Sequence, residues 1–532
     1  MTVSAERVAP GPPLGQDAVR ARPCGRVAGA WPGPPEVLVD EDACTLDGAP
    51  ITDWARVLDR LGEVCGAFAL AARVDDALLL ARDGVGERTL FYAQVGDGVV
   101  FGPSPGAVLA SGRVARRVHI PSVAAYLVYA YVPGERTMVE DVREVLPGEL
   151  LTFRPGRPPE RRRLWRLPAE PSGPSDEGAL RVRLRAALDE AVRRRLPHGE
   201  VGATLSGGID SSLVVALAAR MHSEKIRTWS VSFGDEYRNE LPFSNLVARH
   251  CDTRHTVLEL PAETVVRHLD EAIALLAEPI GDPLTVPNAL MFREAARDVG
   301  VVLNGEGGDP CFGGPKNLPM LLAALYDGHD MERAYLRSHQ RCWDDLEEML
   351  SDDARAALAP LENALYERMA DARYPSLVNK LMAMNVRFKG AHHILSKVDA
   401  LSAPFGVLPR SPLFDRDVVE TAFAIPPQLK LRGTVEKYLL KEAVRDLLPA
   451  EIVERPKSGM LVPVEGWFSG PLLPMARERL LEGLTPWGLF RREWLQRLLD
   501  GRMGGLRPRR GVKIWLLVTL ESWLRGVLAA GK

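Results

Sequence analysis

Cysteine is scarce in this chain. Six thiols, Cys24, Cys44, Cys65, Cys251, Cys311 and Cys342, are scattered through 532 residues with no C-x-x-C pair and no zinc spacing. That excludes a disulfide framework and fits unpaired thiols in a reducing cytosol. Long apolar runs are missing as well. The longest C-terminal candidate, Ile514–Leu520, is seven residues and is soon interrupted by Glu521 and Arg525. A bilayer span needs about 20, so a buried helix is expected and no membrane partner. The N-terminal stretch MTVSAERVAPGPPLGQ lacks the apolar centre of a signal peptide. Neither sign of charge dominates: 67 basic residues face 70 acidic ones, for a net charge of −3. No nucleic-acid footprint follows from that balance. The local runs Arg161–Arg163 and Arg193–Arg195 read as solvated faces. His392 and His393 have no Cys or carboxylate neighbour at ligand spacing and read as structural.

What is present is globular: 46% hydrophobic and 26% charged residues, in a chain long enough for two or more domains. Residues 1–23 read as a flexible leader. From about Val27 to Arg154, GAFALAAR (66–73), ALLLARD (77–83), TLFYAQV (89–95) and GVVFG (98–102) read as consecutive strands of antiparallel sheets. IPSVAAYLVYAYV (120–132) reads as helix. The Pro- and Arg-dense stretch 155–176 marks the domain boundary. Beyond it the texture alternates. A helical pattern over 177–196 precedes strand-like VGATLS (201–206), a helix from about Ser211, strand-like TWSVSF (228–233), a further helix and strand-like VVLNG (301–305). Alternation of this kind predicts a parallel sheet with helical crossovers. Residues 317–450 read as mostly helical. The division expected is a leader over 1–23, one domain over 24–165, a linker over 166–180 and a second domain over 181–532.

The chemistry concentrates in ATLSGGIDSSLVVALAAR, 203–220, where a short strand runs through Ser206–Ser212 into an amphipathic helix. Gly207 and Gly208 let the backbone approach an anion closely. The helix start aims free N–H groups and its positive dipole end at that anion. Ser206, Ser211 and Ser212 add hydroxyl donors, and Leu205 leads in from the strand. Asp210 would repel a phosphate unless a cation intervenes, which implies Mg²⁺ bridging to phosphate oxygens. No Gly-Lys-Ser/Thr follows the glycines, so the loop is not a Walker A.

The heptad SGGIDSS resembles the pyrophosphate loop of N-type ATP pyrophosphatases. Further segments follow in order: EPIGDPLTVP (278–287), VVLNGEGGDPCFGG (301–314), SKVDALS (396–402), PRSPLFDRDVVETAFAIP (409–426), EKYLLKEA (436–443), LLPAEIVERPKSGMLVPVEGWF (447–468) and WLLVTLESWL (515–524). Together they resemble the synthetase domain of asparagine synthetases across nearly all of 180–530. GAFALAARVDDALLLARDGVGERTLFYA (66–93) resembles the back half of the same family's glutaminase domain. The resemblance implies an α/β fold: a C-terminal parallel-sheet ATP-pyrophosphatase domain of adenine nucleotide alpha-hydrolase type, and an N-terminal antiparallel glutaminase-like (Ntn-type) sandwich. It implies ATP and Mg²⁺ as cofactors, with Ser206, Gly208, Asp210, Ser211 and Ser212 holding pyrophosphate and its metal. Asp309 would be a second acidic position by the metal, and Glu306 a general base towards the attacking amine. Lys457 would meet the α-phosphate and stabilise charge during adenylation. Lys437 is a weaker phosphate candidate. Backbone around Val231 and Ser232 would read adenine, and Gly305 belongs to the second Gly-rich loop. Asp282 and Asp399 match family positions and are expected to brace loops.

Several departures shape the functional expectation. The family's glutaminase uses a cysteine directly after the initiator methionine, with its amine as base; residue 2 here is Thr2. Cys24-Gly25 faintly echoes that start, but LVDEDACTLDGAPITD stands where the family's Asn-Gly-Glu segment belongs. The N-terminal domain is therefore expected to be truncated and unable to hydrolyse glutamine. Beta-lactam synthetases place a tyrosine where Glu306 stands and a glutamate where Ser396 stands, which disfavours that route. Pro310-Cys311 replaces the commoner glutamate after Asp309, and is expected on the rim of the site. The reading is an amide-forming synthetase of specialised metabolism in the cytoplasm, acting on a small-molecule or peptide carboxylate and an amine, as a homodimer or with a pathway partner protein. Alternatives are an ammonia-dependent asparagine synthetase, a lasso-type macrolactam cyclase and a catalytically dead scaffold.

Overall fold

A computed structural model describes residues 6–8, 28–31, 37–173, 175–237, 239–314, 341–358, 373–456, 460–503 and 509–529. The C-terminal half is built on a parallel sheet. Its strands run in the order Arg254–Glu259, Arg227–Ser232, Gly202–Thr204, Val301–Leu303, Leu408–Arg410, with Glu6–Val8 pairing in parallel on the outer edge beside Arg254–Glu259. Almost every residue of Arg227–Ser232 and Val301–Leu303 is buried, as strands covered on both faces must be. On one face the helices Glu177–Arg193 and Ile209–Met221 pack through Leu184, Leu188, Leu213 and Leu217. On the other lie Thr285–Ala295 and the long helix Arg510–Trp523, whose Trp515 and Trp523 are fully buried. The apolar run Ile514–Leu520 is thus a core helix, and among the described residues no helix is long and apolar enough to cross a membrane.

Chain order and spatial order disagree at one place. The strand Gly202–Thr204 comes first of the five after the domain boundary, yet sits between the second and the fourth. Connections therefore leave in opposite directions on either side of the gap between Gly202–Thr204 and Val301–Leu303. Crevices of doubly wound sheets open at such switch points, beyond the carboxyl ends of the strands.

The N-terminal half holds two antiparallel sheets. One runs Glu160–Arg163, Glu149–Phe153, Ala77–Arg82, Cys65–Val74, Leu38–Leu46, Ala49–Pro50; the other runs Gly29–Trp31, Gly98–Gly102, Phe91–Val95, Arg143–Glu144. Their inner faces meet through Ala71, Leu80, Tyr92, Phe101, Leu151 and Phe153. All four expected hairpin strands are present, as is the helix Ile120–Tyr129.

The two halves are joined by buried charge. Arg88 meets Asp40 at 3.2 Å on its own side and Asp399 at 3.3 Å across the junction. Arg410 forks onto Asp42 at 2.7 and 2.9 Å, and Arg195 meets Glu87 at 3.2 Å. Arg82 and His392 share Glu144, at 2.5 and 2.9 Å.

One buried cation stands alone in character. Lys430 donates to Asn379 Oδ1 at 2.6 Å and lies 5.0 Å over the Phe423 ring. Burial pushes its pKa down from 10.5 to about 7. Between those values the unfolded chain binds one more proton than the folded one, so stability rises with pH. The penalty is fully present below pH 7 and fades towards pH 10.5. Lys430→Met is expected to stabilise the protein by roughly 1–3 kcal/mol at pH 7, after the lost hydrogen bond is counted. The gain should shrink steadily in urea titrations repeated up to pH 10.

Candidate functional site

Two Gly-rich loops meet at the switch point. The first, Ser206–Gly208, follows Gly202–Thr204 and opens the helix Ile209–Met221. It is shaped by its own hydroxyls. Ser206 and Ser211 Oγ lie 3.0 Å apart, the Ser206 N–H donates to Ser211 Oγ at 3.1 Å, and Ser211 donates back to the Gly208 carbonyl at 3.2 Å. Gly207 has φ +74°, and a Cβ there would lie 2.5 Å from the Ser244 nitrogen; only glycine fits. The second loop, Gly305–Gly308, follows Val301–Leu303 and presses against the first. A Cβ on Gly308 would collide with the Asp210 carboxylate. Gly308→Ala is expected to lower ATP turnover at least ~10-fold while leaving the far-UV circular dichroism unchanged, because the clash is with the site and not with the core.

That contact brings Asp210 and Asp309 together around one cation. Lys437 Nζ lies 2.6 Å from Asp210 Oδ2 and 2.6 Å from Asp309 Oδ1, with its side chain 1% exposed. Lys437 adopts a left-handed backbone, φ +56° and ψ 35°, at the start of the helix Tyr438–Val444. A non-glycine residue pays about 1 kcal/mol or more for that conformation. The expectation of a metal between the two carboxylates therefore meets an ammonium already bridging them. Among the described residues no cluster of three or more His, Cys, Asp or Glu could hold a metal by itself. A Mg²⁺ ion commonly takes one or two carboxylates and completes its shell with phosphate and water oxygens. Asp210 and Asp309 fit that demand, since both line the cavity described next.

The cavity measures about 290 Å³. Of the residues singled out in the sequence, Leu205, Ser206, Gly208, Asp210, Ser211, Val231, Gly305, Glu306 and Asp309 line it. Gly207 in the loop, Ser212 in the helix after it, Ser232 and Lys437 are not among the lining residues; Ser232 accepts the Gly234 N–H at 3.3 Å, and Lys437 reaches the site through Asp210. Lys457 falls outside the described residues. Arg455 donates to the Gly207 carbonyl at 3.3 Å, pairs with Glu240 at 2.5 Å and covers the Phe243 ring at 3.8 Å.

The wall opposite the loops comes largely from residues to which the sequence assigns no catalytic or binding role. A π-helical stretch, Asn385–Leu395, runs into Ser396–Ser402 and presents Lys389, His393 and Lys397 to the cavity at intervals of four. Lys397 pairs with Asp282 at 2.5 Å. Burial opposes charge on Asp282, but Lys397, His393 and the Leu284 N–H outweigh it and hold the carboxyl below its ordinary range. Burial pushes His393 well below its ordinary pKa despite the pull of Asp282, so its imidazole is neutral at pH 7. His393 thus lines the cavity, whereas His392 is held by Glu144 and does not. The expected place of Cys311 on the rim is corrected. It is 0% exposed, with its thiol directed at the Leu413 carbonyl 3.5 Å away, and only Pro310 reaches the cavity.

A parallel sheet with a Gly-rich loop running into a helix at its switch point is a setting in which phosphate groups are bound. The chain belongs to the asparagine synthase family, whose model matches residues 183–525; a glutamine amidotransferase domain model matches residues 55–164. It is 23% identical over 489 residues to the glutamine-hydrolysing asparagine synthetase 1 of Bacillus subtilis, covering 86% of this chain and 76% of that one. It is 28% identical over 424 residues to asparagine synthetase 3 of the same organism, covering 74% and 66%. It is also 28% identical over 408 residues to the carboxyethyl-arginine beta-lactam-synthase of Streptomyces clavuligerus, covering 75% and 64%.

Proposed function

We propose that this protein adenylates a carboxylate with ATP, releasing pyrophosphate, and passes the acyl group to an amine with release of AMP. The observation that carries the reading is the meeting of the two Gly-rich loops, which sets Asp210, Asp309 and Lys437 at one end of a cavity and Glu306 on its wall. The Ser206–Ser212 loop would hold the departing pyrophosphate through N–H and hydroxyl donors. Asp210 and Asp309 would hold Mg²⁺, which when bound neutralises phosphate charge. Glu306 would take the proton of the attacking amine. Lys457 would face the α-phosphate.

The amine comes from outside the N-terminal domain on this reading, and the setting is specialised metabolism in the cytoplasm. Support comes from LVDEDACTLDGAPITD standing where the family's Asn-Gly-Glu segment belongs and from the likeness to a beta-lactam synthase. The test is ATP–pyrophosphate exchange with Mg²⁺ across carboxylates that include aspartate, β-amino acids and short peptides. Exchange with one of them identifies the acyl substrate. Exchange with none, together with no nucleotide binding by calorimetry, overturns the reading. Glutamine added as sole nitrogen donor is expected to yield no amide.

A further inference from the structure

A second cavity, larger than the reaction cavity at about 520 Å³, opens where the two halves meet. That volume falls in the range typical of small-molecule sites, roughly 300–1,000 Å³. Five arginines line it: Arg161, Arg162 and Arg163 from the edge strand Glu160–Arg163, Arg166 just after it, and Arg387 from Asn385–Leu395. The whole chain carries a net charge of −3, so this concentration is local and not a share of a general surplus. Two glutamates line the cleft too, and one arginine absorbs both: Arg161 meets Glu135 at 2.6 Å and Glu149 at 3.3 Å. Arg163 donates to the Pro147 carbonyl at 3.2 Å. Among the described residues, no carboxylate lies within ion-pair distance of Arg162 or Arg166. The run is exposed, as a solvated face would be, yet it also walls a concave site.

The cleft has a fixed aromatic lining. Trp165 is held by a hydrogen bond from its Nε1 to Glu420 at 2.8 Å, and Phe388 stacks on His392 at 6.3 Å with rings 30° apart. Both rings line the cleft. The same stretch, Asn385–Leu395, separates it from the reaction cavity. Arg387, Phe388 and His392 face the cleft, while Lys389 and His393 face the cavity.

We propose that this cleft binds a small organic or inorganic polyanion, with two or more acidic groups, apart from the reaction cavity. Guanidinium groups present planar donor pairs that match carboxylate and phosphate oxygens. The proposal stands independently of the adenylation reading, since none of the five arginines belongs to the reaction cavity. Carboxylate and phosphate ligands share this chemistry, and the probes separate them: citrate for one, inorganic pyrophosphate for the other.

Isothermal titration of the full chain at physiological salt should show saturable binding of at least one probe. Arg162→Ser/Arg166→Ser should weaken it about 10-fold or more, the loss expected for charge-assisted bonds. Exchange activity measured without probe should be unchanged in that variant. Arg387→Gln, on the opposite wall, should weaken the same binding and guards against a fault confined to one variant. Pyrophosphate bound in the reaction cavity would be insensitive to all three changes. Absence of binding by either probe, or binding equally tight in every variant, would overturn the proposal.

Discussion

Lys437→Met is expected to lower ATP–pyrophosphate exchange about 10²–10³-fold, the cost of removing one preorganised charged contact from a water-excluded site. Three observations set that size. The ammonium is 1% exposed, so water does not screen it; it touches Asp210 and Asp309 at 2.6 Å each; and it sits directly under the Ser206–Ser212 loop. Without it, two carboxylates are left side by side where a triphosphate must enter. Their mutual repulsion and their repulsion of the phosphates then act together. The backbone supports the same conclusion. A left-handed lysine costs stability that a glycine would not, and that cost persists only because the side chain is wanted there. Lys437→Gly should therefore fold at least as well as Lys437→Met yet be equally inactive. Exchange within 3-fold of the parent in both variants, a difference of less than about 1 kcal/mol, would show that the lysine is structural only.

Much of this site was legible in the sequence, and the reason is local. Ser206–Ser212 stands out because one loop and one helix start contain the whole device, so seven consecutive residues specify it. Asp309 and Gly305–Gly308 are legible for the same reason. The opposite wall was not. Asn385–Leu395 is wound as a π-helix that runs into Ser396–Ser402, and Lys389, His393 and Lys397, at intervals of four, share the face turned to the cavity. Nothing in NVRFKGAHHIL announces that winding. Lys437 was ranked below Lys457 because its partners lie 227 residues away in Asp210 and further elements besides. The strand Arg254–Glu259 escaped notice because Arg254, His255 and Thr256 interrupt the apolar run. Its partner supplies what the pattern hides: His255 is buried against Thr228 and Ser230 at 2.8 and 3.2 Å. Leu408–Arg410 carries a proline, which suits its place as an edge strand.

The junction between the halves carries the second large effect. Arg88→Met is expected to cost about 3–5 kcal/mol of stability, the usual result of removing one partner from a buried ion pair. Arg88 is 1% exposed and ties Asp40 of the N-terminal sheet to Asp399 of the helix Ser396–Ser402. Asp399 is 4% exposed, so its charge cannot turn to water once the guanidinium is gone. Urea unfolding followed by circular dichroism would measure the loss. Asp399→Asn alone should cost less, because an amide tolerates burial better than an unpaired carboxylate. Combined with Arg88→Met it should add little, giving a coupling energy of about 1–3 kcal/mol in the cycle. The consequence reaches the cavity, because Asp399 shares its helix with Lys397 and Val398, both of which line the wall. If the N-terminal half braces that wall, the KM for the carboxylate should rise in Arg88→Met at temperatures where the variant is still folded, with the KM for ATP held by the two Gly-rich loops and unchanged. Arg88→Lys, which keeps the charge but loses the fork, should recover part of the stability and part of the KM. Equal changes in both KM values would assign Arg88 to global stability, and a near-additive cycle would show that Asp399 is not its partner in solution.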